Sequence, residues 1–71
     1  MAADVRAHIT GRVWKIERQI GDQVVEGDTV VILESMKMEM PVEAPANGKI
    51  VAIAISEGDA VDEGDLLARV E

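Results

Sequence analysis

The sequence contains no cysteine, phenylalanine or tyrosine, and only one tryptophan and one histidine. Without cysteine there is no disulfide framework and no thiolate metal site, which suits a reducing compartment such as the cytoplasm. A lone histidine, His8, has no second histidine or cysteine to share a metal with, and it is assigned no role. Cations are scarce, seven Lys and Arg against fourteen Asp and Glu, giving a formal charge of −7 that would repel phosphate backbones. With Trp14 the sole aromatic there is also no platform for stacking bases, so nucleic acid is excluded as a partner. No apolar run approaches the ~20 residues needed to cross a bilayer. The start, Met-Ala-Ala-Asp-Val, lacks the basic and apolar regions of a signal peptide. A membrane partner is therefore not expected.

What is present is 71 residues, 48% of them apolar and rich in valine, isoleucine and alanine. That is enough for one small β core, so residues 1–71 are expected to form a single domain without a second.

Glycines at 11, 21 and 27 recur at 48, 58 and 64, an offset of 37 residues. Asp22 and Asp59, Asp28 and Asp65, Val5 and Val42, Ala7 and Ala44, Val24 and Val61, and Glu26 and Glu63 fall in the same register. Solenoids need about three or more copies to bury a continuous core, so two copies imply a closed, pseudo-twofold domain. Each copy holds three β-branched runs: 5–9, 12–16 and 29–33 in the first, 41–44, 49–55 and 66–70 in the second. Short segments at 23–25 and 60–62 lie between Gly-Asp pairs, where glycine accepts positive φ and the aspartate can bond nearby amides. The expected fold is all-β, two four-stranded antiparallel sheets packed face to face as a flattened barrel or sandwich.

At the centre of the repeat lies Glu34-Ser35-Met36-Lys37-Met38-Glu39-Met40. Taken locally it reads as a turn of helix, since Glu, Met and Lys favour helices and Pro41 would stop one. In the context of the repeat it becomes a tight hairpin with Met36 and Lys37 at its apex. Such turns favour Asn-Gly or Asp-Gly, so a Met-Lys apex is expected to be strained. The position matching Lys37 in the second copy falls beyond Glu71. The two termini are thus expected together at the end opposite the lysine.

These residues resemble the attachment motif of biotinyl domains, the biotin carboxyl carrier family. The resemblance spans nearly the whole chain: Met36-Lys37-Met38 between Glu34 and Glu39, Gly11, the Gly-Asp turns, Ala44-Pro45 and Asn47-Gly48. It implies a flattened β-barrel, or hammerhead, whose tip lysine is biotinylated by a biotin protein ligase and then serves biotin carboxylase and carboxyltransferase sites. The chain itself would be a monomeric, non-catalytic carrier. Ser35 stands where the family often has alanine, and His8-Ile9-Thr10 where it often has Pro-Met-Pro. The protruding loop of some bacterial relatives has no counterpart between Gly11 and Gly27. No Ala/Pro-rich linker precedes residue 1, which fits a free-standing carrier or a trimmed domain.

Acylation needs a lysine that reaches into another protein's active site. A free lysine amine is protonated at neutral pH and a weak nucleophile, so the ligase supplies activation and the carrier supplies presentation. Met36 and Met38 are assigned to ligase recognition as soft, adaptable flanks, with core filling as the competing role. On a strand, Met36, Met38 and Met40 would share one face. Glu34 and Glu39 would orient the tip by charge, or simply be solvated. The cluster Asp59, Asp62, Glu63 and Asp65 lacks calcium-loop spacing and is read as turn chemistry, and all six glycines are read as turn residues. Trp14 is read as covering one edge of the core or marking a partner surface, its place on a strand favouring packing. The rivals are a lipoyl carrier with lipoate on Lys37, which usually frames its lysine as Asp-Lys-Ala, and a scaffold module in which Lys37 stays unmodified. An enzyme would need a nucleophile with its base, a carboxylate pair or a metal, and no such set is evident.

Overall fold

The β-branched runs form strands throughout, and no helix occurs among the described residues, which in this computed structural model are 2–71. In chain order they are β1 (Ala3–Arg6), β2 (Gly11–Ile16), β3 (Gln23–Val24), β4 (Thr29–Ser35), β5 (Met38–Glu43), β6 (Gly48–Ile53), β7 (Ala60–Val61) and β8 (Leu66–Val70). They assemble into two four-stranded antiparallel sheets ordered β1-β8-β6-β3 and β5-β4-β2-β7. Advancing each strand of the first sheet by half the chain gives the second, so the repeat is a structural twofold. Pairing obeys it residue by residue: Val13 opposes Leu33 as Ile50 opposes Val70, and Leu33 opposes Met40 as Val70 opposes Ala3. The register shift between Val13 and Lys15 is repeated between Ile50 and Ala52. The core is made of matched pairs too, with Val13 and Ile50, Val30 and Leu67, and Leu33 and Val70 at most 1% exposed.

The Gly-Asp turns work as expected. Gly21, Gly27, Gly58 and Gly64 all lie in turns with positive φ. In each, the aspartate Oδ2 accepts the N–H of the residue three before it: Asp22 from Gln19, Asp28 from Val25, Asp59 from Ser56 and Asp65 from Asp62, at 2.8–3.0 Å. These carboxylates are turn caps, which accounts for Asp59 and Asp65 in the second copy.

Gly11 and Gly48 correct the expectation that every glycine serves a turn. They begin β2 and β6, at positions where two backbones come very close. A Cβ on Gly11 would sit 2.6 Å from the carbonyl oxygen of Glu34, and one on Gly48 would sit 2.6 Å from that of Glu71. Side-chain-free backbone is needed to pass the neighbouring strand there. Gly11→Ala is therefore expected to destabilise the protein by roughly 1–3 kcal/mol, the usual cost of overpacking. Urea denaturation should show it, and an unchanged midpoint would mean that β2 shifts freely.

The first strand is also displaced from expectation, Ala3–Arg6 in place of 5–9. Pairing with β8 ends at Arg6 opposite Leu66, after a bulge at Val5 and Arg6, and Ala7 donates instead to the carbonyl of Asp65 at 2.9 Å. Residues 8–10 then bend toward β2. The second copy's run at 49–55 is observed as Gly48–Ile53.

Asp4, on β1, accepts from Arg69 of β8 at 3.1 Å and from Arg6 at 2.9 Å. The Arg69 hydrogen bond, helped by the charges of both arginines and the bond from Arg6, holds this carboxyl below its ordinary value of 3.8 despite some desolvation. A depressed folded-state pKa stabilises the fold above the unfolded value and is lost as pH falls. The stability gap between wild type and Asp4→Asn should thus be present at neutral pH and close as pH drops below about 3.8. Unfolding curves across that range test it, and a gap unchanged down to acid pH would contradict it.

A candidate attachment site at the hairpin tip

From Val31 opposite Val42, β4 and β5 pair without a break up to Ser35 opposite Met38, which leaves Met36 and Lys37 as the two residues of the turn. Both adopt positive φ, 53° at Met36 and 66° at Lys37, the combination a type I′ hairpin requires. They are the only non-glycine residues with positive φ among those described. A left-handed conformation costs a side-chain-bearing residue ~1–2 kcal/mol. Asparagine or glycine would form this turn more readily, so the apex residues are not there for the turn's sake. The extended hairpin replaces the local helical reading of 34–40.

Below the apex, side chains alternate between the two faces of the sheet. Leu33 and Val42 point inward and are buried, Met40 is half-buried, and Met38, opposite Ser35, is 62% exposed beyond the end of the core. Met36 is 93% exposed. Neither Met36 nor Met38 fills the core. The three methionines also do not share one strand face, because Met36 belongs to the turn. On the outward face Glu34 stands directly opposite Glu39 and, across the other edge of β4, opposite Arg12. Like charges in direct opposition weaken an antiparallel pair. None of the ion pairs among the described residues involves Lys37, Glu34, Glu39 or Arg12. A strained turn and a repulsive carboxylate pair thus coincide at the hairpin that holds out Lys37.

Gly11 completes this support, because β2 lies close enough to β4 beside Glu34 to brace the hairpin's base. Sequence reasoning missed this role. The available signal was that Gly11 and Gly48 are followed by Arg12 and Lys49, whereas the four turn glycines are each followed by aspartate.

The ends of the described residues lie at the far end. Only residues 7–10 join β1 to Gly11, next to Glu34, so β1 runs toward the tip end and its first residue, Ala3, paired with Val70, lies away from it. The described residues span 33 × 18 × 18 Å, long enough for that separation. His8 is exposed, on the rim of an open depression with Arg6, Glu26 and Glu43. Trp14, expected to pack inward, is 47% exposed, because it sits in the β2 bulge next to inward-facing Val13. No cluster of His, Asp or Glu suited to a metal ion occurs among the described residues.

A family model described as biotin-requiring enzyme, covering biotin and lipoyl domains, matches residues 1–70. The chain belongs to this biotin/lipoyl family. The domain is 47% identical over 70 residues to a "biotinylated protein TB7.3 homolog" of Mycobacterium leprae, covering 99% of both chains. It is 44% identical to a "biotin/lipoyl attachment protein" of Bacillus subtilis, covering 93% of this chain and 90% of that one. A crystal structure of Kluyveromyces lactis urea carboxylase contains a closely similar body, with a TM-score of 0.95 and 42% identity across 100% of this chain. The biotin/lipoyl domain corresponds to 6% of that carboxylase chain. No helix among the described residues is long and apolar enough to cross a membrane.

Proposed function

We propose that Lys37 is the site of covalent biotin attachment and that the domain is a mobile carrier, itself non-catalytic, serving a biotin-dependent carboxylase. The observation that carries this reading is the apex: an exposed lysine at positive φ in a two-residue turn whose sequence is poor for turning. The residues fit the group, since attachment asks for a primary amine free of ion pairs on a rigid support, and β4, β5 and β2 provide one. Biotin, when attached, supplies a carrier for carboxyl groups. Lys37 contributes the amide nitrogen and a four-carbon stem for reach, while the paired strands fix where that stem starts. Met36 and Met38 offer adaptable apolar contacts to a biotin protein ligase, and Glu34 and Glu39 present negative charge to its rim.

Biotin carboxylase and carboxyltransferase subunits or domains are the partners in this reading, with the domain acting as a monomer in the cytoplasm. Support comes from relatives named as biotinylated or as carboxylases, among them Aspergillus niger pyruvate carboxylase. The Met36-Lys37-Met38 frame favours biotin over lipoate. Co-expression with a biotin ligase should add one biotinyl group to the intact mass. A chain that stays unmodified, or that takes lipoate instead, contradicts the proposal.

A further inference from the structure

We infer that Met36 and Met38 form an oxidation-sensitive gate on the modification of Lys37, closed when their thioethers become sulfoxides and reopened by reduction. The inference rests on the carrier reading. With no cysteine in the chain, its sulfur chemistry is confined to methionine. Among the described residues the three thioethers form a gradient along one hairpin: Met36 93% exposed, Met38 62% exposed and Met40 half-buried. The two most exposed flank the lysine on either side. A state in which Lys37 is open to a ligase is therefore one in which both flanking sulfurs are open to solvent oxidants.

The step balances with hydrogen peroxide as oxidant. Its O–O bond breaks, one oxygen bonds to Sδ, sulfur loses two electrons and water leaves. A dithiol working through a methionine sulfoxide reductase returns the two electrons, releasing the oxygen as water and leaving a disulfide on the reductant. Oxidation turns a soft apolar flank into a polar, chiral one that must be desolvated wherever a partner packs on it. Met36 lies outside the core, and so does the exposed end of β5 at Met38, so the fold is untouched. Recognition changes while stability does not. Trp14, half-exposed on β2, is an oxidisable side chain of a different kind away from the hairpin and sets a control.

The test uses the unmodified chain treated with graded hydrogen peroxide, quenched with catalase, then given purified biotin ligase. Peptide mapping should place the first added oxygens on Met36 and Met38, with Met40 following at higher doses. The thermal midpoint should hold while the initial rate of biotin uptake falls about tenfold, the size of one lost apolar anchor. The two methionine sulfoxide reductases, one for each sulfoxide epimer, together with dithiol should restore the rate. A Met36→Leu/Met38→Leu variant, whatever its starting rate of biotin uptake, should show the same rate after peroxide as before it. Unchanged uptake by the oxidised chain, failure of the reductases to restore it, Met40 oxidising as fast as Met36, or an equal loss in the leucine variant would each overturn the gate. An untreated chain that takes up no biotin removes the carrier reading and the gate with it; normal uptake before and after oxidation removes the gate alone.

Discussion

Lys37→Arg should abolish biotin uptake completely while changing the unfolding free energy by no more than the roughly ±0.5 kcal/mol typical of surface changes. Arginine keeps the positive charge, the long stem and the same unfavourable φ, so the hairpin has no reason to change. What it lacks is an amine that can lose a proton and form the amide, since a guanidinium stays protonated at any accessible pH. Lys15 and Lys49 remain in that variant as internal controls. Lys15 lies on β2, and Lys49 lies on β6 exchanging backbone hydrogen bonds with Glu71, so neither sits on a projecting turn. Uptake measured by intact mass decides the matter. Residual biotin on the variant would mean that presentation at the apex is not what selects the lysine.

Leu33→Ala should lower stability by about 2–5 kcal/mol, the cost of removing a large side chain from a site that cannot collapse. Leu33 is 0% exposed and is paired on both sides, with Val13 of β2 and Met40 of β5, so it joins the hairpin to the body of the sheet. Small domains are stable by only ~5–15 kcal/mol, so this one change removes a large share. The urea midpoint should fall while the slope stays the same, since the surface exposed on unfolding barely changes. A loss below about 1 kcal/mol would show that the flattened barrel closes over the gap.

The 37-residue offset made much of this fold legible. It fixed which strands are equivalent, and the side-chain caps at Asp22, Asp28, Asp59 and Asp65 follow from the Gly-Asp pairs that punctuate it. It also overrode the helical propensity of 34–40, because the pseudo-twofold required strands on both sides of Lys37. Features set by the meeting of distant strands were not legible. The first strand's boundaries depend on where its pairing with β8 ends, and the roles of Gly11 and Gly48 on how closely neighbouring backbones pass. Trp14 turns outward at a bulge that only the β2–β4 pairing reveals, whereas its place on a strand favoured packing over a partner surface. Within the site, the lysine and its turn could be read from residue types and the repeat. The opposition of Glu34 to Glu39 follows from that two-residue turn, since turn length fixes the register of a hairpin.

The most direct measurement is fragmentation mass spectrometry of the chain after co-expression with a biotin ligase, locating biotin among Lys15, Lys37 and Lys49. A single biotinyl group on Lys37, with the other two lysines free, is the expected result. Biotin on Lys15 or Lys49, or none on Lys37, would contradict the assignment of the strained apex as the attachment site.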